Sequence, residues 1–230
     1  MTRPWQTLDK KETSDGLLEL RKRSKDDFLI LIGGRVLMNS RASRSEEVLG
    51  IKTCSELQSG ARILVGGLGM GITLRAVLNS TPPDVTITVA ELHPAIVEWC
   101  RGPLAPLTEA AVLDPRVETK IADVAECIRH APSDGDTYDA IVLDLFEGPH
   151  SRTDEKGDPF YGSKALERTR NALTPGGVLG VWSEAPDESF RRRLEAQGFR
   201  TETHRTGRGG LRHWVVLGRR PGLSEPAKPE

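Results

Sequence analysis

Apolar and polar positions divide the chain into short runs. Residues 1–16 are polar and predict a loose segment. Leu17 to Lys25 (LLELRKRSK) is dense in charge and predicts a short helix or a solvated arm. Two apolar runs follow, Phe28 to Ile32 and Val36 to Met38, around Gly33-Gly34. That pattern predicts a β-hairpin. Ser43 to Cys54 (SRSEEVLGIKTC) begins with a capping residue and reads as a helix.

From there, strand and helix signals alternate. Strands are predicted at Arg62–Val65, Val85–Ala90, Val117–Ile121, Tyr138–Leu143 and Val178–Trp182, the first and fourth of them buried. Helices are predicted at Thr73–Leu78, Pro94–Arg101, Val124–Arg129, Lys164–Leu173 and Glu188–Gln197, with Pro175-Gly176-Gly177 and Gly198 as stops. Arg200–His204 and His213–Leu217 are joined by a turn at Gly207–Gly210, too short for a crossover helix, so they must pair antiparallel. The predicted fold is α/β, a doubly wound, mostly parallel seven-stranded sheet closed by a C-terminal antiparallel hairpin, in the manner of class I methyltransferase-like Rossmann folds. The expected organisation is a reduced N-terminal segment with one β-hairpin (residues 1–50), a nucleotide-binding domain (51–220) and a disordered tail (221–230).

Composition narrows the function classes. A net charge of −1 gives no basic excess for a nucleic-acid partner. No apolar run approaches a membrane span, and the N-terminus lacks a signal-peptide core, so a cytoplasmic location is expected. Cys54, Cys100 and Cys127 have no metal-ligand spacing and read as free thiols in a reducing compartment; no metal is expected.

The chemistry concentrates at predicted strand ends. Gly67, Gly69 and Gly71 turn the chain from a strand into a helix and leave room for a ligand against the backbone. A tight turn without a ligand has the same signature. Glu91 ends the next strand, where an acid can accept from both ribose hydroxyls; its alternative is a partner for the helix dipole at Pro94. Asp123, with the Val124 N–H beside it, follows the third strand, where it can accept from an adenine amino group or cap the helix. Together these favour an adenosyl-sulfonium ligand. A dinucleotide is the rival, but no second glycine fingerprint is present.

Asp144 and Glu147 follow the fourth strand and lie where a carboxylate would position and deprotonate an amine nucleophile. Their plainer reading is a solvated loop. The polar stretch from His150 into the helix at Lys164 reads as a lid. Tyr161, where lid meets helix, either faces substrate or anchors the lid. Trp182 lines an acceptor pocket or sits in the core. His150 reads as a surface residue, and His204 and His213 receive no role.

These segments, in this order, resemble the spermidine synthase family, the polyamine aminopropyltransferases, and more loosely all class I S-adenosylmethionine-dependent methyltransferases. The resemblance covers roughly Phe28 to Arg219. It rests on GGRVLMNS followed by SRSEEVL, on GGLGMG, VAELHP, DPRVETKIAD, YDAIVLDLFEGP and DPFYGSKALERTRNALTPGGVL, and on the C-terminal hairpin. It implies decarboxylated S-adenosylmethionine as donor of an aminopropyl group and a diamine such as putrescine as acceptor. It also implies Glu91 at the ribose, Asp123 at the adenine, and Asp144 as the group that orients and deprotonates the amine. Dimerisation is a further implication.

Three departures bear on that expectation. Met70 stands where the family carries an Asp that grips the donor's amine, and is expected to contact the sulfonium region instead. Loss of such a charge-assisted bond costs about 1.5–3 kcal/mol. The places of a family Gln and Tyr fall near Leu37–Met38 and Ser45. The family's second acid at the fourth strand is Glu147. Methyl transfer from intact S-adenosylmethionine and a non-catalytic nucleotide-binding role are therefore the competing readings.

Overall fold

Alternation of buried and exposed positions begins earlier in the chain than expected. Residues 3–149, 157–206 and 213–222 are described by the structure, a computed structural model. Strands β1 (Gln6–Thr13), β2 (Gly16–Ser24), β3 (Asp27–Ile32) and β4 (Arg35–Asn39) form a four-stranded antiparallel sheet in that order. The predicted hairpin around Gly33-Gly34 is its β3–β4 half. The loose segment and charged arm are corrected to strands β1 and β2. Leu18 and Leu20 on β2 are fully buried, each burial being worth roughly 1.5–3 kcal/mol. Between them, on the other face, Glu19 pairs with Lys10 and Arg21. The charges that suggest a solvated arm are one face of a period-2 strand. Strand β1 has almost no apolar burial of its own. It is held by pairing to β2 and by the Trp99 indole N–H, which donates to Asp9 at 2.9 Å.

Helix α1 (Arg44–Cys54) leads into the main sheet, and Ser43 at its start makes no side-chain cap bond. Strands β5 (Arg62–Gly66), β6 (Thr86–Glu91), β7 (Val117–Ile121), β8 (Tyr138–Leu143), β9 (Leu173–Ser183), β10 (Arg200–Arg205) and β11 (Trp214–Arg219) form a seven-stranded sheet, ordered β10-β11-β9-β8-β5-β6-β7. Strands β5 to β9 pair parallel; β11 runs antiparallel to β9 and to β10. Helices α2 (Ile72–Ser80), α3 (Pro94–Arg101), α4 (Val124–Asp134), α5 (Ser163–Ala172) and α6 (Glu188–Ala196) complete the crossovers. Leu173, expected in a helix, starts β9.

Two apolar clusters cover the two faces of the sheet. The first takes in α1, α2, α3 and the inward face of β2 and β3, so the N-terminal sheet shares the core of the main sheet. The N-terminal part therefore contains four strands, twice the single hairpin expected. Cys54 and Cys100 are buried free thiols, pushed up to about 12 by burial. No helix among the described residues is long and apolar enough to cross a membrane. His150, residues 151–156 of the expected lid, the Gly207–Gly210 turn and residues 223–230 of the expected tail lie outside the described residues.

Candidate active site

The register of the sheet builds one edge of the site. Gly66 pairs with Ala90 on one side and Leu143 on the other, and Leu143 pairs with Val181. The next residue of each strand therefore falls on one row: Glu91, Gly67, Asp144 and Trp182. On the outer side, Glu91 pairs with Ile121, two residues before Asp123. The chain reverses its winding between β5 and β8, the position where doubly wound sheets open a crevice. A cavity of about 630 Å³ lies there, roofed by Arg35, Leu37 and Met38 of β4 and by Asp15 of the β1–β2 turn.

On the β5–β7 side, Gly67 and Gly69 have φ of +84° and +51°. A Cβ at Gly67 would lie 2.4 Å from the Asp144 carbonyl oxygen, and one at Gly69 2.8 Å from the Met38 sulfur. Only glycine fits. Glu91 is buried and accepts the backbone N–H of Leu68 and of His93, each at 2.9 Å. Each oxygen retains a further lone pair, which suits the two hydroxyls of a ribose. Asp123 caps α4 through one oxygen, accepting from the Ala125 N–H at 2.8 Å. Gly67, Gly69, Glu91, Asp123 and Val124 all line the cavity.

On the β8–β9 side, Asp144 accepts a 2.6 Å hydrogen bond from the Thr73 hydroxyl. Burial, and then the nearby Glu46 carboxylate, push the Asp144 carboxyl up to about 7, against the pull of Thr73. It is thus poised to take a proton near neutral pH. Trp182, Phe146 and Phe160 also line this end. Six carboxylates (Asp15, Glu46, Glu91, Asp123, Asp144, Glu184) face one guanidinium, Arg35, and two imidazoles, His93 and His213, among the described lining residues. A low-dielectric cleft of that sign concentrates cations.

No family model matches the chain. Curated polyamine aminopropyltransferases do align with it. That of Oceanobacillus iheyensis is 28% identical over 178 residues, 76% of this chain and 33% of that protein. That of Corynebacterium efficiens is 33% identical over 176 residues, 74% of this chain and 32% of that protein. The chain thus spans about a third of the length of these curated relatives. Among solved structures, spermidine synthase from Thermotoga maritima superposes with a TM-score of 0.73 at 18% identity, over 93% of this chain and 72% of that one. A spermidine synthase in complex with the transition state analogue AdoDATO gives 0.70 at 18% identity, with the same coverages. The chain is a relative of the polyamine aminopropyltransferases. It shares the methyltransferase-like fold of spermidine synthases.

Four expected site residues of this aminopropyltransferase relative sit away from the cavity lining. Met70 is fully buried in the core. Its backbone N–H donates to the Met38 sulfur at 3.1 Å, so the thioether at the cavity wall is Met38 rather than Met70. Gly71 is the left-handed start of α2 and faces Thr108. Tyr161 is buried between Phe160 and Phe190, and its hydroxyl donates to the Glu147 carbonyl at 3.0 Å. Burial raises its phenol well above the usual range, so its geometry is that of an anchor. The Glu147 side chain is half exposed and 3.7 Å from Arg35.

Glu46 and His213 line the cavity without having been singled out, and Met38 lines it at the Leu37–Met38 place where the resemblance implies a family Gln. For Glu46 the signal was present. Ser45, Glu46, Leu49, Gly50, Thr53 and Cys54 form the buried stripe of α1, at helical spacing, whereas Glu47 faces solvent. For His213 no local signal exists, because its partner Ser45 is 168 residues away in the chain.

Proposed function

We propose that this chain is a transferase that moves the aminopropyl group of decarboxylated S-adenosylmethionine onto an amine. The observation that carries it is Asp144, a carboxyl near 7 in an acidic cavity, level with Gly67 and Glu91 on the same sheet edge. Glu91 would hold the ribose, Asp123 and the Val124 N–H the adenine. The turn at Gly67 and Gly69 would let the sulfonium approach the backbone. Asp144 would receive a proton from the acceptor ammonium. The freed amine attacks the aminopropyl carbon attached to sulfur; the N–C bond forms, and the C–S electron pair stays on sulfur as methylthioadenosine. Thr73 keeps the receiving oxygen aimed. The names of the aligned relatives support this reaction class.

The proposed division of labour has residues 1–50 covering the cavity and residues 51–220 holding the nucleotide. Free, buried thiols suit a cytoplasmic setting. The open β4 edge and the exposed Val36 support a homodimer.

Methyl transfer from intact S-adenosylmethionine is the second reading, favoured by Met70, which puts a core side chain where the resemblance leads one to expect an acid. The two differ in product. Incubation with both donors and a mixture of putrescine and spermidine, followed by mass spectrometry, should yield methylthioadenosine. S-adenosylhomocysteine alone would transfer the assignment to methyl transfer.

A further inference from the structure

The acidic cavity contains a carboxylate whose setting has no counterpart in the reaction steps above. Glu46 is 8% exposed and lines the cavity. One of its oxygens accepts the Ser45 hydroxyl at 2.6 Å. The same hydroxyl lies 3.0 Å from His213 Nδ1. Ser45 has a single proton, and it points to Glu46. With Glu46 ionised and accepting that proton, the tautomer that completes the chain carries hydrogen on His213 Nδ1 and donates it to Ser45. The result is a directed chain, His213 to Ser45 to Glu46, that ties β11 to the first turn of α1. The His213 ring is further held edge-on against Trp182 at 4.9 Å.

The Ser45 hydroxyl and the charge of a protonated His213 pull the Glu46 carboxyl down, against the larger effect of burial. Among the described residues no lysine or arginine forms an ion pair with it or with Asp144, and Arg35 instead pairs with Glu147 and stacks on Phe146. Burial pushes the Glu46 carboxyl up, and its charge in turn raises Asp144. Two carboxylates that repel across a cavity are both stabilised by a cation between them. Such a pair, walled by Trp182 and Phe146, suits an alkylammonium better than a neutral ligand.

We propose that Glu46, positioned by Ser45 and His213, is the anion that receives a substrate ammonium in this cavity and sets its selectivity for amines. The ammonium comes from the end of the donor's aminopropyl chain or from the acceptor. Only the ligand's identity rests on the reaction proposed above.

The test is calorimetric titration of wild type and Glu46→Gln with three probes: methylthioadenosine, which has no amine; decarboxylated S-adenosylmethionine; and putrescine in the presence of methylthioadenosine. Methylthioadenosine should bind both proteins within about twofold. One amine probe should bind Glu46→Gln about 10–150-fold more weakly, the loss of one charge-assisted hydrogen bond. A loss confined to the decarboxylated donor places the ammonium on the donor, and a loss confined to putrescine places it on the acceptor. Equal binding of both amine probes by the two proteins overturns the proposal and leaves the transferase reading intact. If wild type binds neither nucleoside, the transferase reading fails. Putrescine alone then decides: weaker binding by Glu46→Gln sustains the Glu46 assignment, and equal or absent binding overturns it.

His213 supplies the control for folding. His213→Asn keeps a donor near the Nδ1 position and should retain amine affinity. His213→Leu should raise KM for the amine about threefold to tenfold with kcat changed less than twofold. Equal KM for both His213 variants and wild type would remove His213 from the assignment.

Discussion

The two sides of the cavity are built differently. The β5–β7 side consists of residues that directly follow parallel strands. Gly67 and Glu91 are placed by backbone register alone, and Asp123 by the helix cap that follows β7. The β8–β9 side is assembled from distant pieces. Asp144 comes from β8, Thr73 from α2, Glu46 from α1, His213 from just before β11, and Phe160 from the segment before α5. A site made by register tolerates change in side chains above it. A site made by long-range contacts can be retuned by substituting one partner. That difference fits a proposed adenosyl half that keeps the expected acids Glu91 and Asp123, and a proposed transfer half in which Ser45 and Glu147 stand at positions where the resemblance implies other residues.

The contrast predicts separable losses. Asp144→Asn should lower turnover by about 10²–10⁴-fold, the scale of a lost general base. Its affinity for methylthioadenosine should stay within about twofold, read by calorimetry. Loss of nucleoside binding in that variant would erase the distinction between the two sides. Glu91→Gln should do the reverse. Nucleoside affinity should fall about tenfold or more, because an amide cannot accept from two backbone N–H groups and the ribose together. The Gly67–Gly71 turn should loosen, since Leu68 N–H loses a charged acceptor.

Legibility followed the same line. Strands β5, β6, β8 and β9 were readable because parallel strands buried on both faces are nearly continuous apolar runs. The site residues at their ends were readable from position alone. Strands β1 and β2 were not. Their charges are one face of an antiparallel sheet, and Leu18 and Leu20 supply only two inward positions among nine residues. Glu46 was legible in principle from the stripe it shares with Leu49 and Thr53. His213 was not, because nothing near it in sequence indicates Ser45. Position in the chain left Tyr161 open between facing substrate and anchoring the segment before α5, and its ring, in the Phe160–Phe190 stack, has the anchoring geometry.

Acid–base linkage tests the transfer side without substrate. The Asp144 carboxyl sits near 7 in the folded state, against an ordinary value of 3.8. A raised carboxyl holds its proton more tightly when folded. Its contribution to stability is therefore full below about 4 and is lost as pH rises through 7. Asp144→Asn should gain about 2–4 kcal/mol relative to wild type between pH 4 and pH 8, measured by denaturant unfolding. The same group predicts an acidic limb near 7 in kcat/KM that disappears with the variant. A flat difference in stability across that range would contradict the buried, charge-opposed setting.

The smallest effect should come from Tyr161→Phe. It removes the bond to the Glu147 carbonyl, worth about 0.5–1.5 kcal/mol, and should change kcat less than about threefold. A fall comparable to that of Asp144→Asn would return Tyr161 to the catalytic group.

The central proposal is an adenosyl group over Gly67–Gly69 with its sulfur facing Asp144. A crystal structure with methylthioadenosine bound tests it most directly. The ribose hydroxyls should lie within hydrogen-bond distance of Glu91 and the adenine amino group near Asp123, with the sulfur at the Asp144 end of the cavity. A nucleoside bound in the opposite sense, or outside this cavity, would contradict it.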